Sequence, residues 1–175
     1  MKRALMVMLL ALSALAQDTP SRLASACGPK DVTFTVRMDL SHASAEPEPG
    51  KARVAFIQDD GPWGEQQHYV MKIGLDGAWV GAYKQNSYFT VSVDPGEHHV
   101  CANVQSKASI GLQLALAHFT AEPGRIYYFR TRFFAGMPGV ESAPPHVDLE
   151  TVDSDEAKYL MASFPQITVS QPSKP

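Results

Sequence analysis

The sequence has little cysteine, no cluster of positive charge and no long apolar segment beyond its first residues. Its 15 lysines and arginines are dispersed among 18 acidic residues, so nucleic acid and anionic membrane surfaces are not expected partners. No apolar stretch after residue 16 is long enough to span a bilayer as a helix. At 175 residues, the chain can form one ordinary domain with a hydrophobic core.

The amino terminus has the pattern of a secretory signal peptide. A basic head, Lys2-Arg3, precedes a short apolar run that ends in small residues at Ala16. We expect cleavage after Ala16 and a secreted or periplasmic protein. Loss of the two head residues leaves 13 of the 15 basic residues against 18 acidic ones, a net charge of −5. A lipid anchor on Cys27 is not expected, because Ala24 stands where a lipidation motif has a large aliphatic residue.

Two cysteines, Cys27 and Cys101, follow the predicted cleavage site. An exported chain with a small, even number of cysteines normally oxidises them, so we predict a Cys27–Cys101 disulfide. Such a bridge closes a long loop, a restraint worth roughly 4 kcal/mol on chain-entropy grounds. We therefore expect no catalytic thiol, and the sequence also lacks a Gly-x-Ser-x-Gly nucleophile motif. No catalytic residue is predicted.

The stretch SVDPGEHHVCANVQS, residues 92–106, raises the question of a metal site. On a strand, His98 and His99 point to opposite faces and cannot ligate one ion together. His99 and Cys101 share a face, but the next histidine, His118, belongs to a different strand. The six histidines match no metal-binding motif. We therefore predict no metal and no cofactor.

Strand patterns dominate the rest of the chain. Apolar and polar residues alternate in VTFTVRM at 32–38, and IYYFRTRFF at 126–134 is strongly strand-like. Asp76-Gly77 and the Pro-Gly pairs at 49–50, 95–96 and 123–124 predict tight turns. The alternating leucines of 109–120 favour a strand over a helix. We predict a mainly β protein, an antiparallel β-sandwich of about eight or nine strands.

One short α-helix is predicted near the C-terminus. Asp153 can cap it, Glu156 completes a capping-box pattern, and Pro165 ends it. The carboxylates of this region are interpreted as caps and solvated charges, because the calcium-binding EF-hand spacing is absent. The predicted organisation is a signal peptide at 1–16, an amino-terminal arm at 17–30, a β-sandwich domain at 31–164 and a C-terminal tail at 165–175.

Three aromatic residues form the candidate ligand-binding site. Trp79, Tyr83 and Tyr88 lie on two neighbouring predicted strands, with Trp79 and Tyr83 on the same face. Exposed aromatic side chains of this kind can stack against sugar rings or anchor a protein partner. The alternative is that Trp79 and Phe89 simply belong to the hydrophobic core.

Several motifs together resemble a known family. The run from Lys72 to Ser106 contains Asn86-Ser87-Tyr88-Phe89 and Pro95-Gly96-Glu97-His98, and Tyr127-Tyr128-Phe129-Arg130 follows later. With DSDEAKYLMAS near the C-terminus, these runs resemble the secreted bacterial family catalogued as domain of unknown function 2846. The resemblance covers roughly residues 27 to 164. It implies a small extracytoplasmic β-domain and supplies no catalytic residue, because the family has no established activity.

These patterns predict a non-enzymatic, extracytoplasmic β-sandwich that binds a protein or glycan partner in the cell envelope. One alternative is a carbohydrate-binding module that uses the aromatic residues. The other is an enzyme whose catalytic residues are dispersed along the sequence. The oligomeric state stays open, because an exposed edge strand can pair with another copy.

Overall fold

The computed structural model describes six segments of the chain: 27–29, 32–39, 46–62, 69–105, 114–134 and 145–168. The predicted signal peptide, most of the predicted arm and the last residues of the predicted tail lie outside these segments. Within the six segments, no helix has both the length and the apolar character needed to cross a membrane.

The described segments form a mainly β structure with a short helix near the C-terminus. The elements are β1 (Arg37–Asp39), β2 (Ala52–Gln58), β3 (Val70–Leu75), β4 (Ala78–Tyr83), β5 (Ser87–Val93), β6 (Gly96–Gln105), β7 (Leu114–Ala121), β8 (Ile126–Phe134), β9 (His146–Thr151), α1 (Ser154–Ser163) and β10 (Gln166–Thr168). The predicted β-sandwich with a C-terminal helix is confirmed, and these segments contain ten strands, slightly more than predicted.

The strands form two sheets. The first has the order β1-β10-β5-β2-β8-β9, and the second has the order β4-β3-β6-β7. Most neighbours are antiparallel, but β2 pairs with β8 and β10 pairs with β5 in parallel. Between β2 and β8, the chain forms β3 and β4 in the second sheet, β5 in the first sheet, and β6 and β7 in the second sheet. It then returns to the first sheet as β8, parallel to β2. Sequence patterning alone did not predict these two parallel pairings.

Two of the predicted Pro-Gly turns align the parallel pair. Lys51 N donates a hydrogen bond to Glu48 O over 3.0 Å, and Arg125 N donates one to Glu122 O over 3.2 Å. These bonds join the fourth residue to the first, as in a tight turn. Gly124 N also donates to Lys51 O over 2.8 Å. The turns before β2 and β8 therefore lie side by side.

The β3–β4 hairpin has the predicted turn. Asp76 and Gly77 both have positive φ, 51° and 81°, which is the backbone of a type I′ turn between two strands. Asp76 N also donates to the His99 carbonyl over 3.0 Å. The turn is therefore fixed to the neighbouring strand β6 as well as to its own hairpin.

The segment predicted as a strand at 32–38 forms an isolated β-bridge at Thr33 and becomes a strand, β1, only from Arg37. Phe34 N donates to Gln105 Oε1 over 2.7 Å, and Gln105 Nε2 donates to Phe34 O over 3.1 Å. The amide side chain thus replaces a partner strand for the Phe34 backbone. β1 then pairs with β10, which lies in the region predicted as a tail and extends the sandwich to Thr168.

The helix α1 begins as predicted. Asp153 accepts hydrogen bonds from Asp155 N and Glu156 N over 2.9 and 3.0 Å, and these bonds lower the pKa of the Asp153 carboxyl. The side chain of Glu156 contacts Arg130. Phe164 forms the C-terminal cap in an extended conformation, as expected before a proline.

The main core lies between the two sheets. The Phe56 ring lies 5.5 Å from the Phe89 ring and 5.9 Å from the Phe129 ring, measured between centroids. All three side chains are buried, and burial of each contributes about 1.5–3 kcal/mol. A smaller cluster on the opposite face of the first sheet includes Ala157 of α1 and Ile57 of β2. The helix therefore covers the outer face of that sheet.

Candidate functional site

A disulfide holds the segment before β1 against the outer face of the second sheet. Cys27 and Cys101 are bonded, with their Cα atoms 5.5 Å apart, and they are only 1% and 3% exposed. The predicted bridge is confirmed. Val100 and Ala102 belong to the core, so the alternation of β6 points Cys101 outward. A Cβ at Gly74, the partner of Cys101 on β3, would overlap the Cys27 carbonyl oxygen.

Two side chains fasten the segment that follows Cys27, which we call the strap (27–29 and 32). Trp79 Nε1 donates to the Pro29 carbonyl over 2.8 Å, and Lys72 Nζ donates to the Val32 carbonyl over 3.1 Å. Lys72 Nζ also lies 4.2 Å from the centre of the Trp79 ring, within cation–π range. Burial lowers the pKa of Lys72. Trp79 and Lys72 therefore have a structural role.

The three aromatic residues predicted as a ligand-binding site do not form an exposed surface. Tyr83 is 0% exposed and Tyr88 is 3% exposed. The Tyr83 hydroxyl lies 2.7 Å from Thr131 Oγ1, and Tyr88 packs in the cluster beneath α1. Trp79 is half-buried under the strap. The prediction of an exposed aromatic platform was wrong, because both tyrosines are buried. Phe89 belongs to the core, as the alternative expected, whereas Trp79 only packs against it.

A β-bulge explains why Trp79 and the buried tyrosine of β4 do not share a face. Gly74 pairs with Trp79, whereas the preceding residue, Ile73, pairs with Gly81. Val80 is therefore an extra residue on β4, and it shifts the two-residue alternation by one position. Trp79 lies on the outer face under the strap, and Tyr83 faces the core.

A partly buried polar cluster at one end of the sandwich is the candidate site that sequence patterns did not identify. Asp60 Oδ2 accepts from Tyr69 OH over 2.5 Å and from Gln58 Nε2 over 2.6 Å, while Asp60 Oδ1 accepts from Phe133 N over 3.1 Å. Burial, and next the hydrogen bond to Asp60, raise the pKa of Tyr69 far above its usual value. The Tyr69 hydroxyl therefore stays protonated and acts as a donor.

Beside this cluster, Arg130 lies among several carboxylates. It is 8% exposed and donates to Glu150 Oε1 over 2.7 Å through Nη2 and to Glu156 through Nη1. Burial lowers the pKa of Arg130, but the bonds to both glutamates outweigh it and raise the pKa overall. Arg132 Nη2 donates to Asp59 Oδ2 over 3.1 Å. The arrangement joins β8, β9, α1 and the end of β2.

In the described segments, most of these polar groups bond to one another. The Asp60 carboxylate already accepts three hydrogen bonds, and the Ser87 hydroxyl donates to the Lys84 carbonyl over 2.8 Å. Gln58 Oε1 is a buried acceptor without a hydrogen-bond partner, which costs about 1–3 kcal/mol. No group of three or more potential metal ligands occurs among the residues described.

One sequence signal could have indicated this polar cluster. Asp59-Asp60 directly follows the apolar strand β2, and Arg130 and Arg132 alternate within the apolar strand β8. Charged residues inside strands of this kind are rarely buried without partners. The acidic residues after β2 and the arginines of β8 come into contact because of the parallel β2–β8 register, in which Gln58 pairs with Thr131.

The histidines of β6 have different surroundings, as their alternation predicts. His98 Nδ1 lies 2.6 Å from Asp76 Oδ2, and His98 Nε2 lies 2.7 Å from the Asp94 carbonyl. Burial lowers the pKa of His98, but the bonds to Asp94 and Asp76 outweigh burial and raise its pKa above 6.5. His99 is exposed and lies directly opposite His118 of β7.

No family model, curated protein or solved structure matches this chain. The resemblance to the domain of unknown function 2846 family therefore stays a prediction. The fold and the contacts above define the class of the molecule on their own: a disulfide-bonded β-sandwich with a strapped outer face.

Proposed function

We propose that this chain is an exported β-sandwich that acts by binding, in the periplasm or outside the cell, and not by catalysis. The observation that carries the proposal is the Cys27–Cys101 disulfide. Both sulfur-bearing residues are almost fully buried, and structural disulfides form and persist in oxidising compartments. Export also agrees with the leader pattern that ends at Ala16.

The polar clusters support binding over catalysis. Catalysis by general acids and bases or nucleophiles needs a group that can reach a substrate. Among the described residues, the Asp60 carboxylate already accepts three internal hydrogen bonds, and Arg130 pairs with two glutamates. Tyr83 and Thr131 bond to each other with no exposed surface. These groups explain stability and the positions of loops.

A protein partner in the cell envelope agrees better with the exposed surface than a glycan partner. Glycan binding usually needs an exposed aromatic platform, and two of the three candidate rings are buried. Large apolar side chains are exposed on several elements, including Leu116 on β7 and Tyr159 on α1. Such side chains provide contacts for a protein surface.

Export is tested by expressing the full chain in a bacterium and fractionating the cells. We expect a periplasmic or secreted product that lacks residues 1–16 and is lighter than the reduced mature chain by two hydrogen atoms. The Ala16→Leu variant, with a large residue at the cleavage site, should keep its leader. An uncleaved, cytoplasmic wild-type protein with two free thiols would contradict the proposal.

The proposal that the protein does not act by catalysis needs a separate test. Purified mature protein is assayed with ester, peptide, glycoside and phosphate substrates, together with Asp60→Asn and Arg130→Gln variants. We expect no turnover above that of heat-denatured protein. Turnover by the wild type that disappears in one of these variants, while the fold is kept, would overturn the proposal in favour of an enzyme.

A further inference from the structure

Two exposed histidines face each other across the outer side of the second sheet. In the β6–β7 register, His99 pairs directly with His118, next to the pair Cys101 and Leu116. The two imidazole centroids are 6.5 Å apart, with a 35° angle between the rings. Both residues are exposed. Directly opposed residues of antiparallel strands have their Cβ atoms only about 4.5–5.5 Å apart.

This spacing is close to the spacing that one metal ion imposes on two imidazoles. Metal–nitrogen bonds of about 2.0–2.1 Å place the centres of two ligating rings roughly 5–6 Å apart. The observed 6.5 Å exceeds that range by a small amount. Because both side chains are exposed, small rotations about their χ angles can close the gap without moving the strands.

Neighbouring groups are already committed to other partners. Cys101 is in the disulfide, and both ring nitrogens of His98 contact Asp76 or Asp94. Asp76 accepts a hydrogen bond from the His99 backbone N–H over 2.9 Å. An ion at the pair would therefore have two protein ligands and complete its coordination with water.

We propose that His99 and His118 form a two-histidine site for a divalent transition-metal ion, with copper(II) bound more tightly than zinc(II). Imidazole nitrogen suits both ions, and the affinity order of divalent metals at nitrogen sites places copper above zinc. The two ligands lie on adjacent strands held by the β6–β7 ladder, so binding of the second imidazole is intramolecular. Calcium and magnesium, which prefer oxygen ligands, are excluded from this site.

The site is tested with mature protein that carries no polyhistidine tag, in buffer at about pH 7.5 where metal ligands are readily deprotonated. Copper(II) is titrated calorimetrically into wild type, His99→Asn, His118→Asn and the control His146→Asn. His146 is also an exposed strand histidine, but it lies on β9 of the other sheet. Circular dichroism checks that each variant is folded.

We expect one copper ion per chain, with affinity lowered on the order of tenfold or more in either pair variant and unchanged in His146→Asn. Paramagnetic broadening by copper(II) in ¹H–¹⁵N spectra of the wild type should be centred on residues 98–100 and 117–119. Absence of binding, equal binding by all four proteins, or broadening centred elsewhere would overturn the proposal. The spectra decide the question even if a variant fails to fold.

Discussion

Replacing Cys27 and Cys101 together by alanine removes a covalent link between the strap and β6. The two residues are 74 positions apart, so the unfolded chain regains the freedom of a long loop. The chain-entropy relation gives about 4 kcal/mol for a loop of this length at room temperature. Native contacts of the strap, such as the Trp79–Pro29 hydrogen bond, can still form in the variant. Most of the loss therefore arises in the unfolded state.

The assay is urea unfolding of the mature wild type, oxidised and reduced, and of the Cys27→Ala/Cys101→Ala variant. We expect a loss of about 4 kcal/mol, equivalent to a fall in Tm of roughly 8–16 °C, and a larger m-value because the unfolded state is more expanded. Cys27→Ala alone is the matched control and should lose the same amount. A loss below about 1 kcal/mol would refute loop restraint as the source of stability.

Three other perturbations follow from the described contacts. Gly74→Ala should destabilise the fold by more than about 1 kcal/mol, because the new Cβ overlaps the Cys27 carbonyl; an unchanged Tm would contradict this contact. Tyr83→Phe should cost about 1–3 kcal/mol in urea unfolding, since a buried threonine hydroxyl loses its partner; a neutral effect would show that the bond is dispensable. For His98→Asn, the loss of stacking on Phe119 applies at every pH. The part of the loss due to the charged pair with Asp76 should be full below pH 6.5 and disappear as the pH rises through the raised folded pKa of His98. This part of the stability loss should also shrink at low pH, because protonation of Asp76 through its lowered folded pKa removes the ion pair. Urea midpoints of the wild type and the variant from about pH 4 to about pH 9 measure the loss. A stability difference that does not change with pH would exclude the ion pair.

Several local features could be predicted from neighbouring residues alone. Asp76-Gly77 forms a turn because two consecutive positive φ angles suit these residues. Asp153 caps α1 because its short carboxylate reaches the free N–H groups of the first turn. The disulfide was predictable for another reason, since two cysteines allow a single intramolecular pairing.

The prediction that the aromatic residues form an exposed ligand-binding site was wrong for a physical reason that the sequence does not reveal. Period-two alternation assigned Trp79 and Tyr83 to one face, but the bulge at Val80 changed the phase between them. The polar cluster around Asp60 was missed for a related reason. Asp60 follows β2 and Tyr69 precedes β3, but Phe133 of β8 lies 73 residues from Asp60. Only the β2–β8 pairing brings that strand to the cluster.

By itself, the sequence determined the alternation of strands, the tight turns, the helix start and the identity of the bridged cysteines, because each depends on residues close in the chain or on simple counting. Only the tertiary structure decided which strands pair, and in which register. That register sets His99 beside His118 and Arg130 among its glutamates. Pairing energies are summed over whole strands and both sheets, so no short stretch of sequence can encode them alone.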